Sequence, residues 1–228
     1  MVLIGLDDTD TRESRGTGHL ARQIAVKIGE NLPLLGVTRH QLLQDPRVPS
    51  TSKNSCAAIL LDINGDIDTA RLFEQVRGMM LQSYQPGSDP GLCIAHAAPD
   101  TIIKFGHAAQ RQLVTQEEAR QLAQDHGLLL EGLGGTQDGV IGALAAVGLA
   151  ACGDDGRYVL VGQSRQLHSL LPVSALLDAG IAAVQTRDGQ TVRDGLVQAD
   201  KLRPARRGGQ PIVIVDWSGE HWQPLKLD

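Results

Sequence analysis

A short apolar run, Val2-Leu-Ile-Gly-Leu6, breaks without a spacer into Asp7-Asp8-Thr9-Asp10. The run is short, branched and followed at once by breakers, which reads as a buried β-strand. Its end places three carboxylates within four residues. Like charges this close cannot all stay ionised and dry, so they require a cation, a basic partner or open water. A hard divalent ion suits them, because Mg²⁺ takes oxygen ligands from one or two carboxylates together with phosphates and waters. Gly16-Thr17-Gly18 then leads into a helical pattern, whose start offers free N–H groups and a positive dipole end beside the acids. The strand, the acids and the helix start together predict a metal–phosphate corner. The alternative is an acidic loop that caps the next helix.

The rest of the first hundred residues limits how that corner can be built. Thr17 reads as an N-cap, with Leu20, Ile24 and Ile28 at helical spacing behind it. Pro33 opens a second strand through Leu34, Leu35 and Val37, and residues 45–55 are a loop rich in turn residues. Cys56 to Ile63 is a nearly unbroken apolar run, hence a central strand. Leu72, Phe73, Val76, Met79 and Met80 mark a second amphipathic helix, and Leu92 to Ala97 a fourth strand. The order strand, helix, strand, strand, helix, strand is the split β-α-β pattern of ferredoxin-like domains. The expected class is therefore α+β, with an antiparallel sheet and both helices on one face.

A helix over 100–112 comes next, then the capping box Thr115-Gln-Glu-Glu118 launching another, and a short strand near Leu128 to Leu133. The stretch Gly132-Leu-Gly134-Gly135-Thr136-Gln-Asp138-Gly139 leads into a helix of Val, Ile, Leu, Ala and Gly reaching Cys152. Gly142 and Gly148 lie inside that helix, where glycine costs about 1 kcal/mol against alanine, so a close neighbour is expected. Beyond Gly153 the apolar runs shorten and are split by Gly, Pro and Asp-Gly pairs, which predicts a small β-rich lobe with a short helix near Val173 to Ala179. The expected division is 1–152 and 153–228.

Composition narrows the function. The net charge of -5 does not describe a general nucleic-acid binder, and 3% aromatics leave no stacking platform for single-stranded RNA. Cys56, Cys93 and Cys152 are an odd, widely spaced set in apolar runs, which reads as buried thiols in a reducing compartment without a zinc knuckle. The first apolar run lacks a basic flank and is not read as a signal peptide. Gly139 to Cys152 is too short to span a bilayer, so no membrane partner is expected and the localisation expected is cytoplasmic. Homodimerisation is left open.

The glycine loop at 132–139 precedes a helix, as phosphate-binding loops do. It lacks the Gly-Lys-Ser/Thr of a Walker loop and the spacing of dinucleotide folds, so it stands as a generic nest of N–H groups or as a simple loop. Asp138 argues against bare phosphate there unless a metal is shared. Lys53 and Asn54 precede the central strand, within reach of anionic oxygens or simply solvated. Asp8-Thr9-Asp10 matches the Asp-x-Asp of haloacid-dehalogenase phosphatases, but Arg12 stands where that family has threonine or valine, and the parallel layout is missing. Arg203, Arg206 and Arg207 form a local basic cluster, expected to be a solvated loop.

Four features in order resemble the archaeal agmatinylcytidine synthetase family, which modifies the wobble cytidine of an isoleucine tRNA. They are the strand with Asp7-Asp8-Thr9-Asp10, the nearby Gly16-Thr17, the loop Val48-Pro49 to Lys53-Asn54-Ser55, and Gly139-Val-Ile-Gly-Ala-Leu-Ala-Ala-Val-Gly148. The likeness covers that family's N-terminal ATP-dependent kinase part, residues 1–152 here. It implies that Asp7, Asp8 and Asp10 bind Mg²⁺ and the triphosphate of ATP, and that Thr17 is the counterpart of a threonine that becomes phosphorylated. Lys53 falls where the family carries a basic loop residue. Asp8, Asp10, Thr17 and Lys53 are thus the candidate catalytic residues. The candidate nucleotide contacts are Asp7, Thr9, Gly16, Gly18 and Asn54, with Gly134, Gly135, Thr136 and Gly139 in the glycine loop. Gly18 replaces a second threonine of the family. The chain shows no OB-type module and no Cys-x-x-Cys ribbon, and residues 153–228 do not look like the family's continuation.

Phosphoryl transfer needs positioning and charge neutralisation more than covalent machinery, so acids, a metal and N–H nests are suitable parts. The leading expectation is a Mg²⁺-dependent, ATP-using transferase or ligase of this kinase type, acting on a small-molecule substrate and binding nucleic acid weakly or not at all. The alternatives are an inactive nucleotide-binding or regulatory module and a subunit of a tRNA-modifying assembly.

Overall fold

The computed structural model describes residues 1–226 except Pro49 and Ser52. Two compact units divide it, Met1–Cys152 and Gly153–Asp228.

In the first unit, β1 (Val2–Asp7), β2 (Leu34–Gln41), β3 (Ser55–Leu61), β4 (Gly91–His96) and β5 (Leu129–Gly132) form a sheet in the order β5-β4-β1-β3-β2. The pairs β1–β3, β1–β4, β2–β3 and β4–β5 are all antiparallel. With α1 (Thr17–Gly29) and α2 (Thr69–Gln82) between the strands, the first six elements have ferredoxin-like topology, with β5 added at one edge. The class is α+β, as the element order predicts.

Alternation in the strands makes two cores. Leu3, Cys56, Ala58, Leu60, Cys93 and Ala95 pack beneath α3 (Asp100–Arg111), α4 (Gln116–Asp125) and α5 (Gly139–Cys152). The alternate residues Val2, Ile4, Leu6, Ile59, Leu61 and Ile94 are as fully buried, on the side of α1 and α2. Both faces of β1 are therefore dry, and its run can be continuously apolar. Burial drives the Cys93 thiol far above the ordinary thiol range, which keeps it inert.

The glycines of α5 are explained by contact. A Cβ at Gly148 would fall 2.1 Å from the Ile102 carbonyl oxygen of α3, and one at Gly139 would fall 2.0 Å from the Asp89 carbonyl oxygen. The sheet reciprocates, since a Cβ on Gly5 of β1 would meet the Ala143 carbonyl oxygen of α5 at 2.0 Å. The helix thus lies directly against backbone on two sides, and its propensity deficit is set against that close packing.

The second unit holds β6 (Arg157–Leu160), β7 (Leu170–Pro172), α6 (Val173–Asp178), β8 (Ala183–Thr186), β9 (Thr191–Val192), β10 (Leu196–Gln198), β11 (Ala205–Arg207), β12 (Gln210–Trp217) and β13 (Trp222–Pro224). Tyr158, Val173, Leu176, Val184, Val197, Val213 and Val215 build its core. One expectation fails here. Arg206 is not part of a solvated basic cluster: it is only 4% exposed, donates to the Tyr158 hydroxyl at 2.6 Å and the Gly209 carbonyl at 2.9 Å, and sits 5.8 Å from the Tyr158 ring centre. The planar guanidinium satisfies a turn and an aromatic together, which a sequence cluster of arginines does not reveal.

Candidate functional site

The acid loop and the glycine loop meet at one end of the first unit's sheet. Asp7 ends β1 opposite Gly91 of β4, so the residues just outside those strands become neighbours. The Asp89 N–H donates to the Asp8 carbonyl at 3.1 Å, and Leu133 N–H donates to the Pro90 carbonyl at 2.7 Å. The segment 89–90 is thereby stitched to the acid loop on one side and the glycine loop on the other.

Asp7 turns toward α5. A Cβ on Gly142 would fall 1.7 Å from its carboxylate oxygen, so this glycine makes room for the acid. Burial, then the Asp8 and Asp10 charges, hold the Asp7 carboxyl well above the ordinary carboxylate range. Asp8 has a left-handed backbone, φ 46°, which aspartate tolerates better than most residues. Its carboxyl is pushed up to about 6, first by burial and then by the charges of Asp89, Asp10 and Asp138. A crowd of acids around one half-buried carboxyl is relieved by a proton or by a bound cation.

Asp10 is held by hydrogen bonds on both oxygens. One of its oxygens accepts the Thr17 N–H at 3.0 Å and the Thr17 hydroxyl at 2.9 Å, and the other accepts the Thr51 hydroxyl at 2.8 Å. Thr17 is thus not the N-cap that the sequence suggests. Gly16 holds that position without a side-chain bond, and Thr17 is the first helical residue. The cap comes from Asp10, across the loop. Thr9, 4% exposed, donates its N–H and hydroxyl to the Thr17 hydroxyl at 3.2 Å each. Thr17 itself is 6% exposed, its hydroxyl held at the base of the loop. A Cβ on Gly16 would come within 3.9 Å of Asp10, whereas nothing lies within 4 Å of one on Gly18, so the helix start is open at that position.

The Thr51 bond brings the loop before β3 to the acids, with Lys53 exposed two residues on. Pro49, part of the sequence likeness, lies outside the described residues. Asn54 donates its side-chain amide to the Leu43 carbonyl at 2.9 Å, and its own carbonyl accepts the Leu42 N–H at 2.9 Å. Its side chain is committed to closing the end of β2.

The glycine loop is organised by a residue that the sequence reading passes over. The Asp89 carboxylate accepts the Thr136 hydroxyl at 2.5 Å and the Gln137 N–H at 2.5 Å. Gly135 has φ 57° and Gln137 φ 68°, both left-handed, and a Cβ on Gly135 would strike the Asp89 carboxylate at 2.6 Å. Gly134 packs under Tyr84, whose ring a Cβ there would meet at 2.7 Å. From the outside, Gln116 of α4 donates to the Thr136 carbonyl at 2.9 Å and to Asp138 at 2.6 Å, and Arg120 donates to the Gln137 side chain at 2.6 Å. The glycines at 134, 135 and 139 allow the close packing of the loop, and the Thr136 hydroxyl and the Gln137 N–H turn toward Asp89. Asp89 sits in Gly87-Ser-Asp-Pro90, which reads only as a helix stop; pairing β1 beside β4 is the signal that would have found it.

Among the described residues, no three His, Cys, Asp or Glu side chains converge as a metal-ligand set. Mg²⁺ does not need three, since one or two carboxylates suffice when phosphates and waters complete the shell. The hard oxygen donors of Asp7 and Asp8, and the charge pressure on Asp8, fit such an ion. Among the described residues no helix is long and apolar enough to cross a membrane.

Comparison with known proteins gives a consistent picture. No family model matches the chain. An uncharacterised protein of Methanocaldococcus jannaschii is 28% identical over 152 residues, covering 65% of this chain and 50% of that protein. The crystal structure of TiaS with its tRNA and ATP superposes with a TM-score of 0.56 at 22% identity, over 64% of this chain and 36% of that one. Apo TiaS, a tRNA agmatidine synthetase, gives 0.54 at 21% identity, over 64% and 35%. Its complex with tRNA, AMPCPP and agmatine gives 0.54 at 22% identity, over 64% and 36%. The likeness is one of fold. The chain spans half the length of the M. jannaschii relative and about a third of each TiaS chain.

Proposed function

We propose that residues 1–152 form a Mg²⁺-dependent ATP site of the kind carried by the agmatinylcytidine synthetase kinase part, used for phosphoryl transfer to, or ATP-driven activation of, a small substrate. The observation that carries this reading is the meeting of the acid loop and the glycine loop at one sheet end, joined through Asp89 and Asp8. The shared fold with a TiaS structure holding ATP supports it.

In this reading Asp8, with Asp7 beside it, holds Mg²⁺, which would neutralise the phosphates and the crowded acids together. Asp10 and Thr9 act through Thr17, fixing the start of α1 beside the metal acids. Gly16 and Gly18 leave that helix start approachable by an anion, and the exposed Lys53 supplies a positive charge on the neighbouring loop. The Thr17 hydroxyl is a phosphoryl acceptor only if the two Thr9 donors release its oxygen, and the Asp10 carboxylate that already accepts its proton would then serve as the base. The glycine loop closes the opposite wall.

Ligand-linked stability tests the reading. MgATP at a hundredfold excess over its dissociation constant should stabilise the protein by roughly 2.7 kcal/mol, a melting shift of roughly 5–10 °C for a chain of this size. No shift at millimolar MgATP would sink the proposal. ATP turnover separates an enzyme from an inactive nucleotide-binding module.

A second reading, a component of tRNA modification, rests on the TiaS structures of the same fold that contain tRNA. The comparisons do not support the expectation that nucleic acid is an unlikely partner. The net charge of -5 and the buried Arg206 argue for weak binding that falls away with salt. Filter binding of tRNA at two salt concentrations decides it: tight, salt-resistant binding would make RNA the acceptor.

A further inference from the structure

We infer that Asp89 is the positioning residue of this site, the pin that sets the glycine loop against the acid loop. The inference rests on the nucleotide reading for its consequence but on geometry for its substance. Asp89 faces two ways. Its backbone N–H reaches the Asp8 carbonyl at 3.1 Å, while its carboxylate takes the Thr136 hydroxyl and the Gln137 N–H. Its main chain packs closely on the start of α5, its carbonyl oxygen 2.0 Å from where a Cβ on Gly139 would stand.

The loop it holds needs holding. Gly135 and Gln137 both have positive φ, and a non-glycine residue in that region persists only where its surroundings impose it. Two hydrogen bonds to one carboxylate impose it from inside, and the Arg120 bond to the Gln137 side chain adds to it from outside. The glycine loop is consequently a socket for a carboxylate, with the Gln137 N–H and the Thr136 hydroxyl used by Asp89.

Three variants test this, read by amide hydrogen exchange and by titration with MgATP. Asp89→Ala removes both side-chain bonds but keeps the backbone bond to Asp8. Amides over 134–138 should lose protection while those of the acid loop keep theirs, and MgATP should bind about tenfold or more weakly. Asp89→Asn preserves an acceptor for Gln137 and a hydrogen-bonding group for Thr136, so it should exchange like the wild type and bind MgATP within about threefold of it. Gly135→Ala keeps the carboxylate but denies it its seat, and should reproduce the exchange pattern of Asp89→Ala; it also serves if Asp89→Ala does not fold.

Unchanged exchange in Asp89→Ala, or in Gly135→Ala where that variant replaces it, overturns the inference. So does Asp89→Asn binding as poorly as Asp89→Ala, which would make the charge itself the contact. Tighter MgATP binding by Asp89→Ala would mean that the carboxylate occupies an anion seat, and also overturns it. If the wild type does not bind MgATP, the nucleotide reading fails, and the exchange data still decide whether Asp89 is the pin.

Discussion

The starts of α1 and α5 lie at the same end of one sheet and are organised by the same device, a threonine hydroxyl and a backbone N–H gathered by one aspartate. At α1 the aspartate is Asp10, on Thr17; at α5 it is Asp89, on Thr136 and Gln137. The two differ in what surrounds their glycines. Gly18 near the start of α1 stands in open space, whereas Gly139, Gly142 and Gly148 of α5 are pressed against other backbone or a carboxylate. The same residue type thus means access at one helix and close packing at the other. An open helix start beside acids can receive a ligand; a jammed one can only be a wall.

Gly148→Ala gives the largest expected effect. The new methyl would collide with the Ile102 carbonyl, which belongs to a packed helix and cannot swing aside. Overpacking of this kind costs about 3 kcal/mol or more, a fall in melting temperature of roughly 6–12 °C. A variant that melts like the wild type would erase the contrast between the helices.

Asp8→Asn sharpens the contrast from the acid side. Because folding raises the Asp8 pKa from 3.8 to about 6, the protonated form favours the fold. Its contribution is fully present below the ordinary carboxylate range and is lost as pH rises through about 6. The wild type without Mg²⁺ should therefore lose stability across that window, and Asp8→Asn should flatten the loss. At pH 7 the variant should melt about 2–5 °C higher yet bind MgATP about tenfold or more weakly. Melting curves at several pH values check the first part; a variant less stable than the wild type at pH 7 would make Asp8 a structural cap.

Asp10→Ala removes the cap on α1 and should cost about 1–2 kcal/mol, measured by urea unfolding. A smaller effect would mean that the Thr9 bonds to Thr17 hold the helix start alone. Gly18→Ala is the mildest. In open space on a helix, alanine should add about 0.5–1 kcal/mol of stability. If the position serves ligand approach, MgATP affinity falls in the same variant that gains stability, a split that no purely structural glycine would show.

Much of the first unit was legible because periodicity reports burial directly. The apolar runs at Val2, Cys56 and Leu92 are strands covered on both faces, and the Thr115–Glu118 capping box forms as written, with both reciprocal bonds. The glycines inside α5 announced a close neighbour without saying which. Thr17 misled because it stands beside an apolar-periodic helix like a cap, while the true cap is Asp10, at a range of seven residues. The arginine cluster misled because burial of Arg206 depends on Tyr158, far away in the chain.

What the sequence by itself determined is the set of local parts. They are a dry strand that must end in charge, a helix that starts beside the acids, a glycine-rich entry to a second helix, and the element order that makes a ferredoxin-like sheet. What only the tertiary structure decided is which parts face each other. Asp89 and Gln137 are 48 residues apart, and they meet because β5 runs antiparallel beside β4, so that the end of one strand lies at the start of the other. Hydrophobic spacing along a chain records which residues leave water. It does not record which polar groups must then satisfy one another, because those bonds are set by strand pairing and close helix contact across the fold.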